Sequence, residues 1–272
     1  VDELTDQYSL ATGIATLLAA VSFLNYKGGS EKLINEYKDF IGSFVEERTK
    51  KEHSQEGSDK EQANWIDYPE LRKKVVEGSE QYLDKKNAFT AFRNFMLVAL
   101  FTLQPPVRLG NYLDMKIKKG KKKSFGSYPK KFNYLFDTGD AYSFVFNNYK
   151  TAKTSGQIIL PVSDPVLISI IDKWINDYNS SDNFLTNANG KSMSQTNMSN
   201  ALESGSKKLL GKLLRANSFR HIFITHFLGT NPSIEEKTKV LGIMGQSYKP
   251  SQGEKYARVD QSDEESEDVV DI

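Results

Sequence analysis

Between Pro105 and Asp164 the spacing of the apolar residues changes, and that change limits the folds open to this chain. Before it lies an apolar helix of about residues 87–104, stopped by Pro105-Pro106, whose rings remove amide donors and clash with a continuing helix. A further helix begins near Arg108. Within the interval, Met115–Ile117, Phe132–Phe136, Tyr142–Asn148 and Gln157–Val162 read as short strands separated by Gly-containing turns. After it the helical period returns. Asp164-Pro165 opens a helix with Ile168, Ile171, Trp174, Ile175 and Tyr178 on one face. Helices follow over about 194–213, with Met198, Leu202, Leu209 and Leu213, and over about 218–228, ending at Gly229. Ser233-x-x-Glu236 is a capping box opening a helix that buries Ile234, Val240, Leu241 and Met244. The expected fold is mainly α with a small antiparallel β-sheet, an α+β class, without internal repeats.

Upstream, residues 5–48 read as two helices. Ile14, Leu17, Leu18, Val21 and Leu24 share one face; Lys27-Gly28-Gly29-Ser30 interrupts; Leu33, Ile34, Tyr37, Phe40 and Ile41 share the next. Residues 49–62 contain no large apolar side chain and read as a linker. A second body opens at Trp65-Ile66, with a helix over 69–83. The apolar stretch Leu10–Leu24 is broken by Thr, Gly and Ser and falls short of a bilayer span, and no signal-like segment opens the sequence, so the expectation is no membrane partner. The chain begins with Val1, which leaves open a removed or missing N-terminus.

The absence of cysteine excludes disulfides, thiolate metal sites and a thiol nucleophile. Three histidines, His53, His221 and His226, make a polyhistidine metal site a poor fit, and no metal is expected. The 36 Lys and Arg nearly balance 35 Asp and Glu, but unevenly. The last thirteen residues hold seven acids and no base, which leaves the rest of the chain basic by eight charges. A basic body with an acidic tail, residues 261–272, suits a polyanionic partner. The same pattern also fits a soluble protein with a solvated end.

The residue order that carries chemistry begins at Arg108, in Gln-Pro-Pro-Val-Arg-Leu-Gly-Asn-Tyr-Leu, after an apolar helix. A hairpin, Tyr149-Lys-Thr-Ala-Lys-Thr-Ser-Gly156, follows. Then come Asn217-Ser-Phe-Arg220-His221 with Thr225-His226 on one helix, Leu241-Gly-Ile-Met-Gly-Gln-Ser247, and Tyr256 in Gly-Glu-Lys-Tyr-Ala-Arg. This order resembles the catalytic domain of tyrosine recombinases, the phage-integrase family. The resemblance covers about residues 63–260. The Asn64-Trp65 opening and the Tyr-Lys-Thr hairpin look most like members from large DNA viruses and eukaryotic mobile elements.

The resemblance implies a helical core-binding segment over 1–48, a linker over 49–62 and a catalytic domain over 63–260. It implies a DNA integrase or site-specific recombinase, a strand transferase acting on double-stranded DNA, self-associating as a tetramer in the synaptic complex, inside the cell in nucleus or cytoplasm. Its catalytic positions fall on Arg108, Lys150, Asn217, Arg220, Gln246 and Tyr256, with Lys153 as the alternative lysine. Lys150 is preferred because a strand end fixes it better. Three positions depart from the family pattern: Asn217 stands for a His, Gln246 for a His or Trp, and Asn111 for an acid. Type IB topoisomerases share the chemistry. A catalytically weakened DNA-binding protein of the same fold is the alternative outside catalysis, and a helical protein-interaction module is a third.

The chemistry explains the residue types. Attack by a tyrosine hydroxyl on a phosphodiester builds negative charge on the non-bridging oxygens, which two guanidinium groups can each meet with paired hydrogen bonds. The leaving 5′ oxygen needs a proton, which a lysine can give. The 3′-phosphotyrosine conserves the bond, so no cofactor is needed. Asn217 and Gln246 can hydrogen-bond a phosphate but cannot transfer a proton at neutral pH. Eight lysines, Lys116, Lys118, Lys119, Lys121, Lys122, Lys123, Lys130 and Lys131, interleave with Phe125 and Tyr128 and suit DNA phosphates; a solvated loop has the same composition. His226, within an apolar face, reads as a core histidine.

Overall fold

The computed structural model describes residues 9–53, 62–84 and 86–246. They fall into two compact units, one of helices before residue 54 and one from residue 62 onward.

The first unit is a helical hairpin. Helix α1 (Leu10–Lys27) is capped by the Ser9 hydroxyl and closed by Gly28 in the left-handed conformation. Its buried Ile14 and Leu17 pack on Phe44 of α2 (Glu31–His53). Leu18 and Phe40, expected on the buried faces, are 50% and 44% exposed. Helix α2 runs past the expected end at 48. The residues beyond it lack apolar side chains but are good helix formers, so composition set the boundary too early. At 18 residues and mean hydropathy 1.3, α1 is by length and composition long and apolar enough to cross a membrane, contrary to the shorter stretch read from sequence. Hairpin-core helices meet the same criterion.

The second unit is mainly helical around one four-stranded sheet. Helix α3 (Tyr68–Asp84) and α4 (Phe89–Thr102) precede the sheet. Eight consecutive residues of α4, Phe95 to Thr102, are at most 2% exposed, so it is the central helix. Pro105-Pro106 ends this region as expected. Past Arg108 the chain makes only a tight 3-10 turn, Leu109–Tyr112, in place of the helix expected there.

Strands β1 (Lys116–Lys119), β2 (Tyr134–Asp137), β3 (Tyr142–Phe146) and β4 (Ile158–Pro161) lie in sequential order. The pairs β2–β3 and β3–β4 are antiparallel, but β1 pairs parallel to β2, so the sheet is mixed rather than antiparallel. The connection over residues 120–133 is long enough to return the chain in the same direction. It folds onto the sheet: Phe125 packs on Phe136 at 4.4 Å and Tyr128 at 5.3 Å between ring centroids. The lysine-rich run therefore carries its own small aromatic core.

Helix α5 (Pro165–Lys173) starts on Asp164, whose carboxylate caps Val166 and Leu167 and binds Arg72 of α3 at 2.5 Å. A single π-turn, Trp174–Tyr178, continues it and buries Trp174, whose indole N–H donates to the Phe184 carbonyl. Helix α6 (Gln195–Leu210) crosses α4 at Gly205, where an added Cβ would stand 2.5 Å from the Asn94 carbonyl oxygen. Gly211 ends α6 before Leu213, which is 39% exposed rather than core. Helices α7 (Ala216–Gly229) and α8 (Ile234–Ile243) complete the unit. The Ser233–Glu236 capping box is present. Leu241 and Met244 are buried and Val240 partly so, but Ile234 is 71% exposed, because the first residue of a capped helix faces outward here.

Candidate functional site

Four chain segments meet at Met244–Gly245. Helix α8 ends there because Gly245 takes a φ of 68°, which lets the Gln246 amide donate to the Leu241 carbonyl and close the helix. Arg220 of α7 is 6% exposed and donates through Nη1 to the carbonyls of Met244 (3.1 Å) and Pro106 (2.9 Å). Arg108, two residues after Pro106, lies on the other side of the turn. An added Cβ at Gly245 would stand 2.7 Å from Arg108 Nη1, a buried nitrogen that has no hydrogen-bond partner among the described residues. From the turn after β3, the Thr151 hydroxyl donates to the Gly245 carbonyl at 3.5 Å.

Arg108 and Lys150 also line a groove of about 1550 Å³. One wall is the 3-10 turn with Gly110 and Asn111; another is the polar face of α6, with Gln195, Thr196, Ser199 and Asn200; a third is the start of α7 at Arg215, Ala216, Asn217 and Ser218. Four cations face this space, Arg108, Lys131, Lys150 and Arg215, against two carboxylates, Asp114 and Glu203. Glu203 is paired with Arg215 at 2.9 Å. The N-terminal end of α7, the positive end of its helix dipole, adds positive potential at the same wall. Burial pushes the Tyr149 hydroxyl pKa up, opposed by its hydrogen bond with Ser155 and by the charge of Arg108. The groove thus carries a net positive charge and a supply of hydrogen-bond donors.

Asn133 joins the two sides of the cleft. It is 3% exposed, and its amide nitrogen donates to the carbonyls of Asn111 (2.7 Å) and Asn148 (2.8 Å). Its oxygen accepts from the amides of Asn147 and Asn148, both at 2.8 Å. One side chain therefore fixes the Arg108 turn to the Lys150 turn. These bonds also end β3 at Phe146, so Lys150 stands in a turn and not at a strand end as expected. Lys153 lies in a single helical turn, Ala152–Ser155, is exposed, and does not line the groove.

Other expected residues are distributed differently. Asn217 lines the groove; Arg220 and Gln246 do not. Asn111 lines it, is 2% exposed, and its amide nitrogen has no partner among the described residues. Of the six lysines whose side chains are described, only Lys131 lines the groove, its Nζ also 5.0 Å from the Phe132 ring. Lys116 is bound to Asn183 and lies 5.4 Å from the same ring, and Lys119 is 3.9 Å from Asp137. Lys121 and Lys130 are exposed and Lys118 is partly so; the side chains of Lys122 and Lys123 lie outside the described residues. Tyr256 and the acidic tail also lie outside them. His226 stacks on Tyr68 at 4.9 Å, in keeping with a structural role. Sequence reasoning did not find Asn133 or the contact of Gly245 with Arg108, since a single Asn or Gly carries no periodic signal.

No protein-family model and no curated protein matches the sequence. Among solved structures the chain is similar to a XerA recombinase, at 12% identity and a TM-score of 0.45, with 71% of this chain and 58% of that one aligned. The chain thus spans less than two thirds of that protein's length.

Proposed function

We propose that the chain binds duplex DNA along this groove and cuts and rejoins one strand through a 3′-phosphotyrosine on Tyr256, as an integrase or site-specific recombinase. The observation that supports this is the meeting of Arg108, Arg220 and the Thr151 turn at Met244–Gly245, beside a cleft lined by Lys150 and the start of α7. In this reading Arg108 and the α7 amides take the non-bridging oxygens. Lys150 gives a proton to the leaving 5′ oxygen. Arg220 positions the Met244–Gly245 turn against Arg108. Asn217, on the groove wall, binds a phosphate oxygen without proton transfer, and Gln246, beside the Gly245 turn and outside the groove, supplies no proton acceptor, so the tyrosine proton leaves to solvent and the reaction is slow.

A second reading, a DNA-binding protein with little chemistry, is favoured by one observation: Arg220 Nη1 is already bonded to two backbone carbonyls. Incubation with a nicked suicide duplex separates the two. A covalent adduct on a denaturing gel is expected for the recombinase; DNA binding without an adduct supports the second reading.

A further inference from the structure

We propose that a recess built on Arg93, between the N-terminal halves of α4 and α6, is a second phosphodiester site that holds a backbone phosphate of the DNA beyond the groove. The proposal rests on the DNA-binding reading above and adds a site to it.

Arg93 is partly buried, and burial lowers its pKa. Arg72 and Arg215 each have a carboxylate partner. Among the described residues Arg93 has none. Its Nε and Nη2 both donate to the neutral oxygen of Asn94, at 3.2 and 2.9 Å, and its guanidinium lies 5.8 Å from the centre of the Phe89 ring. That leaves three of its five N–H donors without a protein acceptor among the described residues, on the end of the fork that binds phosphate in bidentate fashion. A partly buried cation without a counter-charge loses some of its hydration, and an anion at this point compensates for that loss.

The surroundings fit an anion. The recess, about 260 Å³, is lined by Arg93, Asn94, Asn187, Asn197 and Asn200 over Met193, and among the described residues no carboxylate lines it. The asparagines supply amide donors of the kind that hold phosphate oxygens. The platform is rigid: Asn94 is 8% exposed, and its backbone is pressed against Gly205.

The position fits a backbone in particular. Asn200 lines both the recess and the groove. Helix α6 turns Gln195, Thr196 and Ser199 to the groove and Asn197 and Ala201 to the recess. A strand whose reacting phosphate sits at Arg108 carries further phosphates, and the polar shoulder at Asn200 leads from one site to the other.

The test uses the full chain, a mixed-sequence duplex, and inorganic phosphate as a second probe. Arg93→Gln and Asn197→Asp are expected to lower duplex affinity about tenfold at moderate salt and to reduce the log–log salt slope by about one for Arg93→Gln. Arg93→Lys keeps the charge and is expected to retain most of the slope. Asn197 is exposed, so its variant remains informative if Arg93→Gln folds poorly. Inorganic phosphate should shift the side-chain amide NMR signals of Asn187 and Asn197 in the wild type and not in Arg93→Gln. Wild-type DNA affinity and slope in both Arg93→Gln and Asn197→Asp would overturn the proposal. So would phosphate shifts at the recess with no effect on DNA, since they mean a free-anion site. If the wild type binds no duplex at all, the DNA-binding reading fails, and the second site fails with it.

Discussion

Gly245 holds Arg108 by having no side chain: its missing Cβ would stand 2.7 Å from Arg108 Nη1. The same glycine has a φ of 68°, which ends α8. Gly245→Ala therefore meets two costs, about 1–2 kcal/mol for the left-handed backbone and a displacement of the guanidinium. Gly245→Asn tolerates the backbone but keeps the displacement. Adduct formation is expected to fall about a hundredfold in both, while thermal stability falls mainly in Gly245→Ala. Equal activity of Gly245→Asn and wild type would separate Gly245 from the site.

Asn133 satisfies four backbone groups at once. Asn133→Leu removes all four bonds, of which the one to Asn111 is fully buried, so urea unfolding should show a loss of about 2 kcal/mol or more. Asn133→Asp keeps the acceptor for Asn147 and Asn148 but turns a carboxylate oxygen toward two carbonyls. Folding then favours the protonated acid and raises its pKa above the ordinary value of about 3.9. Relative to wild type, this variant should be most stable below that value and lose stability as pH rises through the folded-state pKa. A difference from wild type that stays flat between about pH 3 and 7 would contradict the geometry.

The lysine-rich connection divides by environment. Lys131 lines the groove and Lys130 is exposed, whereas Lys116 is engaged with Asn183 and Phe132. Lys130→Gln with Lys131→Gln should flatten the DNA salt slope by about two. Lys116→Gln should lower stability with a smaller change in slope. The measurement is duplex affinity across a salt series, and an unchanged slope in the double variant would mark the segment as a solvated loop.

Gln246→His restores a group that can move a proton beside the Gly245 turn. Duplex affinity should be unchanged and adduct formation faster, within the ~10²–10⁴-fold range of general acid–base groups. An unchanged rate would show that Gln246 does not limit the reaction.

Helices and strands with a clear period were legible in the sequence, and so was the Ser233–Glu236 cap. The parallel pairing of β1 was not, because a strand pattern is the same in either direction and the decision rests on how residues 120–133 fold back. Phe125 and Tyr128 set that course through contacts with Phe136, which spacing does not report. Lys150 reads as a strand-end residue because Asn147 and Asn148 extend the pattern, yet their amides bond to the Asn133 side chain instead of a neighbouring strand. The order of Arg108, Lys150 and Arg220 was readable, but Arg220's bonds to Pro106 and Met244 depend on two turns far apart in sequence.

The central claim is that a tyrosine of this chain takes the DNA strand at the Arg108 groove, and mapping the adducted residue tests it most directly. The protein is incubated with a suicide duplex, digested, and the nucleotide-bearing peptide identified by mass. Tyr256 is predicted to carry the nucleotide, with the adduct lost in Tyr256→Phe and kept in Tyr248→Phe. An adduct on Tyr248, or none in a wild type that binds the duplex, would contradict it.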